Sequence, residues 1–193
     1  MLDPRSYIFR HALKDGTQVT LRGARADDGP KIRQAFSKLM GETIYTRFFT
    51  NKAEISDTDL ERVTGADFDR TVALLATIGS GDEEIVIGGA SYVVLDADLP
   101  DRSAEMAFTV EEDYQRLGVA GLLMRHIVSI ARAAGLASLQ AEVLARNAPM
   151  LAVFRRSGLP MATRVEGGVV HARLSLGQGA EAASIGRHPG NAG

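Results

Sequence analysis

A chain of 193 residues with 45% hydrophobic content can bury one sizeable core, which favours a single domain. It contains no cysteine, which excludes disulfides, thiolate metal sites and acyl-cysteine intermediates. The net charge of −2, with no basic stripe interleaved with aromatic residues, argues against a nucleic-acid surface.

The charges are segregated along the sequence. Residues 51–113 carry 4 basic and 16 acidic side chains, whereas residues 114–176 carry 8 basic and 2 acidic ones. An acidic region can attract a cationic amine and a basic region a polyanion, although two solvated faces would give the same pattern. No apolar stretch is long enough to span a bilayer and the N-terminus lacks the apolar core of a signal peptide, so we expect a cytoplasmic protein with no membrane partner.

The N-terminal third predicts a strand and a helix. Residues 1–16 are interpreted as a short lead-in that ends in a turn, and residues 17–23 as the first strand. A helix over residues 26–40 follows, with capping and first-turn chemistry from Asp27, Asp28 and Pro30. The aromatic segment 41–50 comes next, and it either walls a pocket or anchors a helix on the core.

The rest of the chain alternates between strand and helix patterns. The helices are predicted over residues 57–63, 119–134 and 147–157, and the strands over residues 71–78, 84–95, 104–110, 139–145, 161–165 and 169–176. Gly88-Gly89 indicates a bulge or a close backbone approach within a strand. We expect one domain over residues 1–176 and a disordered tail over residues 177–193.

The segment around which the chain is organised is a strand, a glycine-bearing turn and a helix. Residues 104–110 alternate between apolar and other side chains, and the helix after the turn has apolar residues three and four apart. The first N–H groups of a helix have no partner within it, and small residues there let an anion approach closely. The turn Gln115–Gly121 is therefore a candidate phosphate site. It matches neither common nucleotide-binding glycine motif, so an ordinary connection between strand and helix is the alternative.

Residues 104–121 resemble motif A of the GNAT superfamily of N-acetyltransferases, Gln/Arg-x-x-Gly-x-Gly/Ala. The resemblance implies an α+β GNAT fold, with a mixed central sheet of six to seven strands flanked by about four helices. It also implies that acetyl-coenzyme A (acetyl-CoA) is the cosubstrate. The residues expected to contact it are Gln115, Arg116, Leu117, Gly118, Val119, Ala120 and Gly121 at the diphosphate, Phe108 and Val110 at the pantetheine arm, and Asn147, which also caps a helix.

Glu105 is the candidate general base. It lies ten residues before Gln115, as does a glutamate in the protein-lysine members of the family, although an exposed structural glutamate is the alternative. The base has a demanding task, because a free lysine is roughly one part in two thousand neutral at pH 7. A carboxylate can accept its proton if desolvation raises the carboxylate's own pKa. Glu111, Glu112 and Asp113 are interpreted as solvated turn residues.

Tyr45, Arg47 and Phe48 are expected on the acceptor side. Their Tyr-x-Arg-Phe-Phe segment is similar to the opening of Pat-type protein lysine acetyltransferases, which acetylate acyl-CoA synthetases. Phe154 departs from the family pattern, because many relatives carry a tyrosine there that can protonate the leaving thiolate. Coenzyme A would then leave as thiolate, take a proton from water, or receive one from Tyr45 or Tyr114.

The four histidines, at positions 11, 126, 171 and 188, show no metal-ligand spacing, so no metal site is predicted. The leading hypothesis is transfer of an acetyl group from acetyl-CoA to a primary amine, with a protein lysine such as one on an acyl-CoA synthetase as the acceptor. The alternatives are acetylation of a small amine or peptide, and a non-catalytic acyl-CoA sensor. The sequence leaves homodimerisation open.

Overall fold

The computed structural model describes residues 3, 6–37, 55–95 and 102–177, which form a mixed sheet of eight strands with helices on both faces. The strands are β1 (Ile8–Ala12), β2 (Gln18–Gly23), β3 (Thr71–Ile78), β4 (Ile85–Val94), β5 (Ser103–Val110), β6 (Ser138–Leu144), β7 (Met161–Glu166) and β8 (Val169–Ser175). The helices of the described ranges are α1 (Gly29–Ser37), α2 (Asp57–Thr64), α3 (Val119–Ala133) and α4 (Ala148–Arg156). None of these helices is both long and apolar enough to cross a membrane.

The strand order is β1-β2-β3-β4-β5-β6-β8-β7, and β5 pairs with β6 in parallel while every other neighbouring pair is antiparallel. The predicted α+β class is confirmed, but the predicted six to seven strands fall short of the eight observed. The proposed tail lies almost wholly outside the described residues, so its disorder stays a prediction.

The additional strand is β1, within the residues that we interpreted as a lead-in. It pairs with β2 along its full length, and the predicted turn at Asp15-Gly16 connects the two strands. Its inward side chains include Phe9 and His11, and its outward ones include an arginine. The five residues of β1 therefore show little contrast between an apolar and a polar face. Pairing with β2 makes it a strand, and this pairing is not visible in the residues of β1 alone.

The sheet is buried on both faces at its centre. In β3, Val72 and Leu74 pack into the core beneath α3, whereas Ala73 and Leu75 pack into a second core beneath α1 and α2. This explains why β3 appears in the sequence as a continuous apolar run rather than an alternating one.

A buried arginine fastens α1 to the sheet. Arg22 of β2 is 3% exposed, and all five of its N–H groups donate hydrogen bonds. Two of these bonds go to the Asp28 carboxylate at 2.7 Å, two to the Glu84 carboxylate at 2.9 Å, and one to the Gly23 carbonyl. Lys31 of α1 also donates to Glu84 at 2.7 Å. The cluster thus joins β2, the start of α1 and the segment before β4.

We predict that Arg22→Ala lowers the free energy of unfolding by about 3–5 kcal/mol, because it leaves two carboxylates without their buried cation. Arg33→Ala is the matched control, since Arg33 and Asp57 form an exposed pair whose loss should cost less than about 1 kcal/mol. Urea titrations of the two variants and the wild type make the comparison. Equal costs for the two substitutions would contradict the role given to the cluster.

A second polar cluster joins β1 to α3. Tyr7 Oη lies 2.7 Å from His126 Nδ1, and His11 Nε2 lies 3.1 Å from His126 Nε2. Two imidazoles in hydrogen-bond contact need one neutral ring as the acceptor. Burial, followed by the nearby His11 and Arg125, lowers the pKa of His126 to about 4. Burial and Arg125 also lower the pKa of His11.

These pKa shifts predict an acid-sensitive stability. In the unfolded chain His126 binds a proton near pH 6.5, whereas in the folded protein it stays neutral until about pH 4. The unfolded state thus binds more protons in this window, and the free energy of unfolding should decrease as the pH falls from about 6.5 to about 4. His126→Leu should reduce this slope, by at most about 1.4 kcal/mol per pH unit for one proton. Thermal unfolding at half-unit pH steps measures the slope for the wild type and the variant. Parallel profiles for these two proteins would disprove the assignment of the acid sensitivity to His126.

Candidate active site

The sheet opens between β5 and β6. Their parallel register covers only Ser103↔Ser138, Ala104↔Leu139 and Glu105↔Gln140, although β5 continues for five residues beyond Glu105 and β6 for four beyond Gln140. Two strands in the middle of a sheet therefore diverge after three paired positions, leaving a wedge between them.

The far half of β5 turns backbone hydrogen-bonding groups towards this wedge. The Glu111 N–H donates to Ile87 O of β4 at 2.9 Å, and the Ser103 carbonyl accepts from Leu95 at 2.9 Å. Odd-numbered residues of β5 thus pair with β4, and the N–H and C=O groups of Phe108 and Val110 point to the other side. The wedge is therefore lined by strand backbone that can pair with an extended ligand.

A glycine-bearing loop lies at the open end of β5. Gln115 Nε2 donates to the Val110 carbonyl at 3.3 Å, which ties the loop to the strand. Arg116 and Gly118 have positive φ angles of 65° and 104°, and Gly118 is the N-cap of α3. A Cβ atom on Gly121 would meet nothing within 4 Å, so open space lies beside the first turn of α3. The first amides of α3 therefore have room for an anion, as the sequence predicts.

Gly88 sets the position of α3 on the sheet. A Cβ atom there would lie 3.0 Å from the Thr109 carbonyl oxygen and 3.0 Å from Cγ1 of Val119, the first residue of α3. The register of β3 and β4 also shifts between Ala76 and Thr77, opposite this segment of β4. Both the bulge and the close approach that Gly88-Gly89 indicated are present. The absence of a Cβ atom at this position lets the N-terminal end of α3 lie this close to β4.

A cavity of about 270 Å³ lies on the opposite face of β5, beneath α1 and α2. Its walls are mostly apolar and include Ile32, Phe36 and Val63. The odd-numbered side chains of β5 line one side of it, with a glutamate at each end, Glu105 and Glu111. The two glutamates are about 20 Å apart along the strand at 3.3 Å per residue, so they do not act as one carboxylate pair.

The two glutamates differ in burial, and one prediction is corrected. Glu105, the candidate base, is exposed and lies at the last paired position before the wedge. Glu111 is 3% exposed, so its interpretation as a solvated turn residue is wrong. The hydrogen bond from its N–H to Ile87 extends the strand pairing one residue past Val110, which keeps the Glu111 side chain on the cavity face. The alternation of residues 105, 107, 109 and 111 was a signal that could have indicated this.

The other residues of the candidate site are distributed around the wedge. Asn147 Oδ1 accepts from the Met150 N–H at 3.1 Å, which is the predicted helix cap on α4. Phe154 is fully buried, with its ring centroid 6.1 Å from that of Phe108, and Tyr114 is half-buried beside the loop. Tyr45, Arg47 and Phe48 lie outside the described residues. Among the described residues, no group of three or more potential metal ligands is found.

The comparisons with known proteins agree with this geometry. The family model described as acetyltransferase (GNAT) family matches residues 40–159. The chain is similar to an acetyltransferase of Pseudomonas aeruginosa, with 30% identity over 139 residues that make up 72% of this chain and 73% of the relative. The crystal structure of the GNAT domain of S. lividans PAT superimposes with a TM-score of 0.80 and 31% identity, covering 90% of this chain and 99% of that domain.

A more distant structure shares the fold. The acetyltransferase yncA from Salmonella typhimurium, solved with its cofactor acetyl-CoA, has a TM-score of 0.64 and 17% identity, over 86% of this chain and 99% of that one.

Two glycines of the loop should respond in opposite ways to alanine. Gly121→Ala should raise the free energy of unfolding by up to about 1 kcal/mol, because alanine is the better helix former and its methyl group meets open space. Gly118→Ala should lower it by about 1–3 kcal/mol, because a φ of 104° strains any residue with a Cβ atom. Chemical denaturation of the ligand-free variants measures both. Two shifts of the same sign would contradict the loop conformation.

Proposed function

Because the chain belongs to the acetyltransferase (GNAT) family, we propose that it transfers the acetyl group of acetyl-CoA to a protein lysine, with Glu105 as the general base. The observation that carries this proposal is the wedge between β5 and β6. It combines strand backbone that faces away from β4, a helix N-terminus at one end and a carboxylate at the other.

The donor side of the wedge fits acetyl-CoA. The first amides of α3 and the loop from Gln115 to Gly121 bind the diphosphate, for which the space beside Gly121 is open. The backbone of Phe108 and Val110 pairs with the pantetheine arm along β5. The Val110 N–H donates to the thioester carbonyl oxygen and stabilises the negative charge that develops there. Acetyl-CoA itself supplies the activated acyl group.

The acceptor approaches from the cavity face. Glu105 lies at the vertex of the wedge, on the face of β5 opposite the core beneath α3, and its carboxylate lines the cavity. Glu105 precedes Val110 by five residues, about 16 Å along the strand at 3.3 Å per residue, so the ammonium proton reaches its carboxylate through bound water rather than by direct contact. The bound acceptor covers this exposed carboxylate and excludes water from it, which strengthens it as a proton acceptor.

A lysine side chain suits the cavity better than a compact amine does. Its four methylene groups match the apolar walls formed by residues such as Phe36 and Val63, and its ammonium group matches the carboxylate on β5. The similarity to the GNAT domain of S. lividans PAT supports the same acceptor class, as does the Pat-like segment around Tyr45.

The departing coenzyme A has no tyrosine donor at position 154. Phe154 is fully buried against Phe108 and has no exchangeable proton. We therefore propose that coenzyme A leaves as the thiolate or is protonated by water. Tyr114, half-buried beside the loop, is the described side chain that can serve instead.

We predict that Glu105→Gln lowers kcat by about 10²–10⁴-fold and leaves the affinity for coenzyme A unchanged, because it removes the proton acceptor without changing the donor side. Glu83→Gln, at an exposed glutamate outside the site, is the control with the same charge change. Thiol release and isothermal titration with coenzyme A give the two readouts. Turnover of the Glu105 variant within a factor of ten of the wild type would overturn the assignment of the base.

The acceptor is tested by presenting labelled acetyl-CoA together with acyl-CoA synthetases, lysine peptides and small amines. The proposal expects label on protein lysines, located by mass spectrometry. Label only on small amines would overturn the protein-lysine acceptor. Coenzyme A binding without any turnover would instead favour a sensor.

A further inference from the structure

The turn between β1 and β2 meets the loop at the start of α3, although about a hundred residues separate them in the sequence. The Lys14 N–H donates to the Leu117 carbonyl at 3.2 Å. The turn itself is well defined, since the Leu13 N–H donates to Thr17 O at 2.9 Å and the Gly16 N–H donates to Leu13 O at 3.0 Å. The position of Lys14 relative to α3 is therefore fixed by backbone contacts.

The Lys14 side chain lies across the N-cap of α3. Its Cε and Cγ atoms are 3.9 Å and 4.0 Å from the position that a Cβ atom on Gly118 would take. Both are ordinary van der Waals distances, so the stem of Lys14 passes directly over Gly118. Nζ is one bond beyond Cε, so the ammonium group lies beside the N-cap of α3.

The Lys14 ammonium group is available to an anion. Among the described residues, no carboxylate lies within 4.0 Å of it. The neighbouring Asp15 carboxylate turns back to accept from the Thr17 N–H at 3.0 Å and from the Thr17 hydroxyl at 2.9 Å. These hydrogen bonds lower the pKa of Asp15, so it stays ionised within the turn.

We propose that Lys14 is a donor-binding residue whose ammonium group pairs with the diphosphate held at the N-terminus of α3. This inference rests on the proposed function. It adds a cation from a different part of the chain to a loop whose other contacts are backbone amides. Backbone amides and the helix dipole supply only partial charges, whereas a diphosphate carries full negative charges that a lysine can neutralise.

The test uses Lys14→Gln, which removes the charge and keeps most of the stem, together with Lys14→Arg, which restores the charge. The control is Arg10→Gln, an equal charge change at an exposed residue of β1. We expect Lys14→Gln to raise KM for acetyl-CoA and Kd for coenzyme A about tenfold with kcat unchanged. Arg at position 14 should restore most of the affinity, and the Arg10 variant should match the wild type.

Two further readouts separate a phosphate contact from a structural effect. The penalty of Lys14→Gln should vanish with S-acetyl-pantetheine, which has no phosphate groups, and it should shrink at high salt, since screening weakens the pairing in the wild type. The penalty should persist with acetyl-dephospho-CoA, which keeps the diphosphate but lacks the 3′-phosphate. Disappearance of the penalty with that donor would overturn the diphosphate assignment.

Failure of this inference can be distinguished from failure of the proposed function. If the wild type binds neither coenzyme A nor acetyl-CoA, the proposed function fails and the Lys14 contact fails with it. If the wild type binds both and Lys14→Gln binds them equally well, only the Lys14 contact is overturned. A variant with a lowered Tm and equal losses for all three donors would also overturn it, because that pattern indicates damage to the turn.

Discussion

The candidate site depends on the separation of β5 from β6. Within a sheet, each strand normally satisfies its N–H and C=O groups on both sides. Here β5 pairs fully with β4, but its pairing with β6 stops at Glu105, so the polar backbone near Phe108 and Val110 faces an internal opening. This makes the opening receptive to an extended chain with amide groups, and pantetheine is such a chain. The fold thus provides an edge-like binding surface in the middle of the sheet, while its outer edges are β1 and β7.

In the proposed mechanism one strand serves both substrates, because its residues alternate between the two faces of the sheet. Even-numbered side chains of β5 pack towards α3, and the backbone of the same residues faces the wedge; odd-numbered side chains, including Glu105, line the cavity beneath α1 and α2. The relative placement of donor and acceptor then depends on how firmly each helix is held. Gly88 brings α3 close to β4, and the hydrogen bonds of Arg22 and Lys31 hold the start of α1 to β2 and to the segment before β4. A shift of either helix would separate the two reactants.

The sequence alone predicted those elements whose signal lies within a single segment. Periodicity and caps predicted the helices and seven of the strands to within a residue or two in the described ranges, except that α1 begins three residues after its predicted start. The glycine motif predicted the loop before α3. What was missed depends on contacts between distant segments. Strand β1 needs β2 to be recognised, and His11 meets His126 only because β1 packs against α3. Glu111 was misplaced because its burial follows from pairing with β4 beyond the apparent end of β5. No pattern within one segment records the pairing of β1 with β2 or the contact of His11 with His126, whereas the alternation of residues 105, 107, 109 and 111 did carry a local signal for Glu111.

The segregation of charge along the chain has a physical counterpart at the site. The acidic part of the sequence supplies Asp59, Glu105 and Glu111 around the cavity, together with Arg62, which pairs with Asp59 at 2.9 Å. Glu105 is the carboxylate that serves a cationic acceptor in the proposed mechanism. The proposed donor is a polyanion, so its site should carry no negative charge. Accordingly, α3 has no acidic residue in its first turn. Its backbone dipole favours negative charge there, and Lys14 adds a full positive charge from the first hairpin. In the proposed mechanism the carboxylates therefore lie on the acceptor's side of β5, and the helix dipole and Lys14 lie on the donor's side.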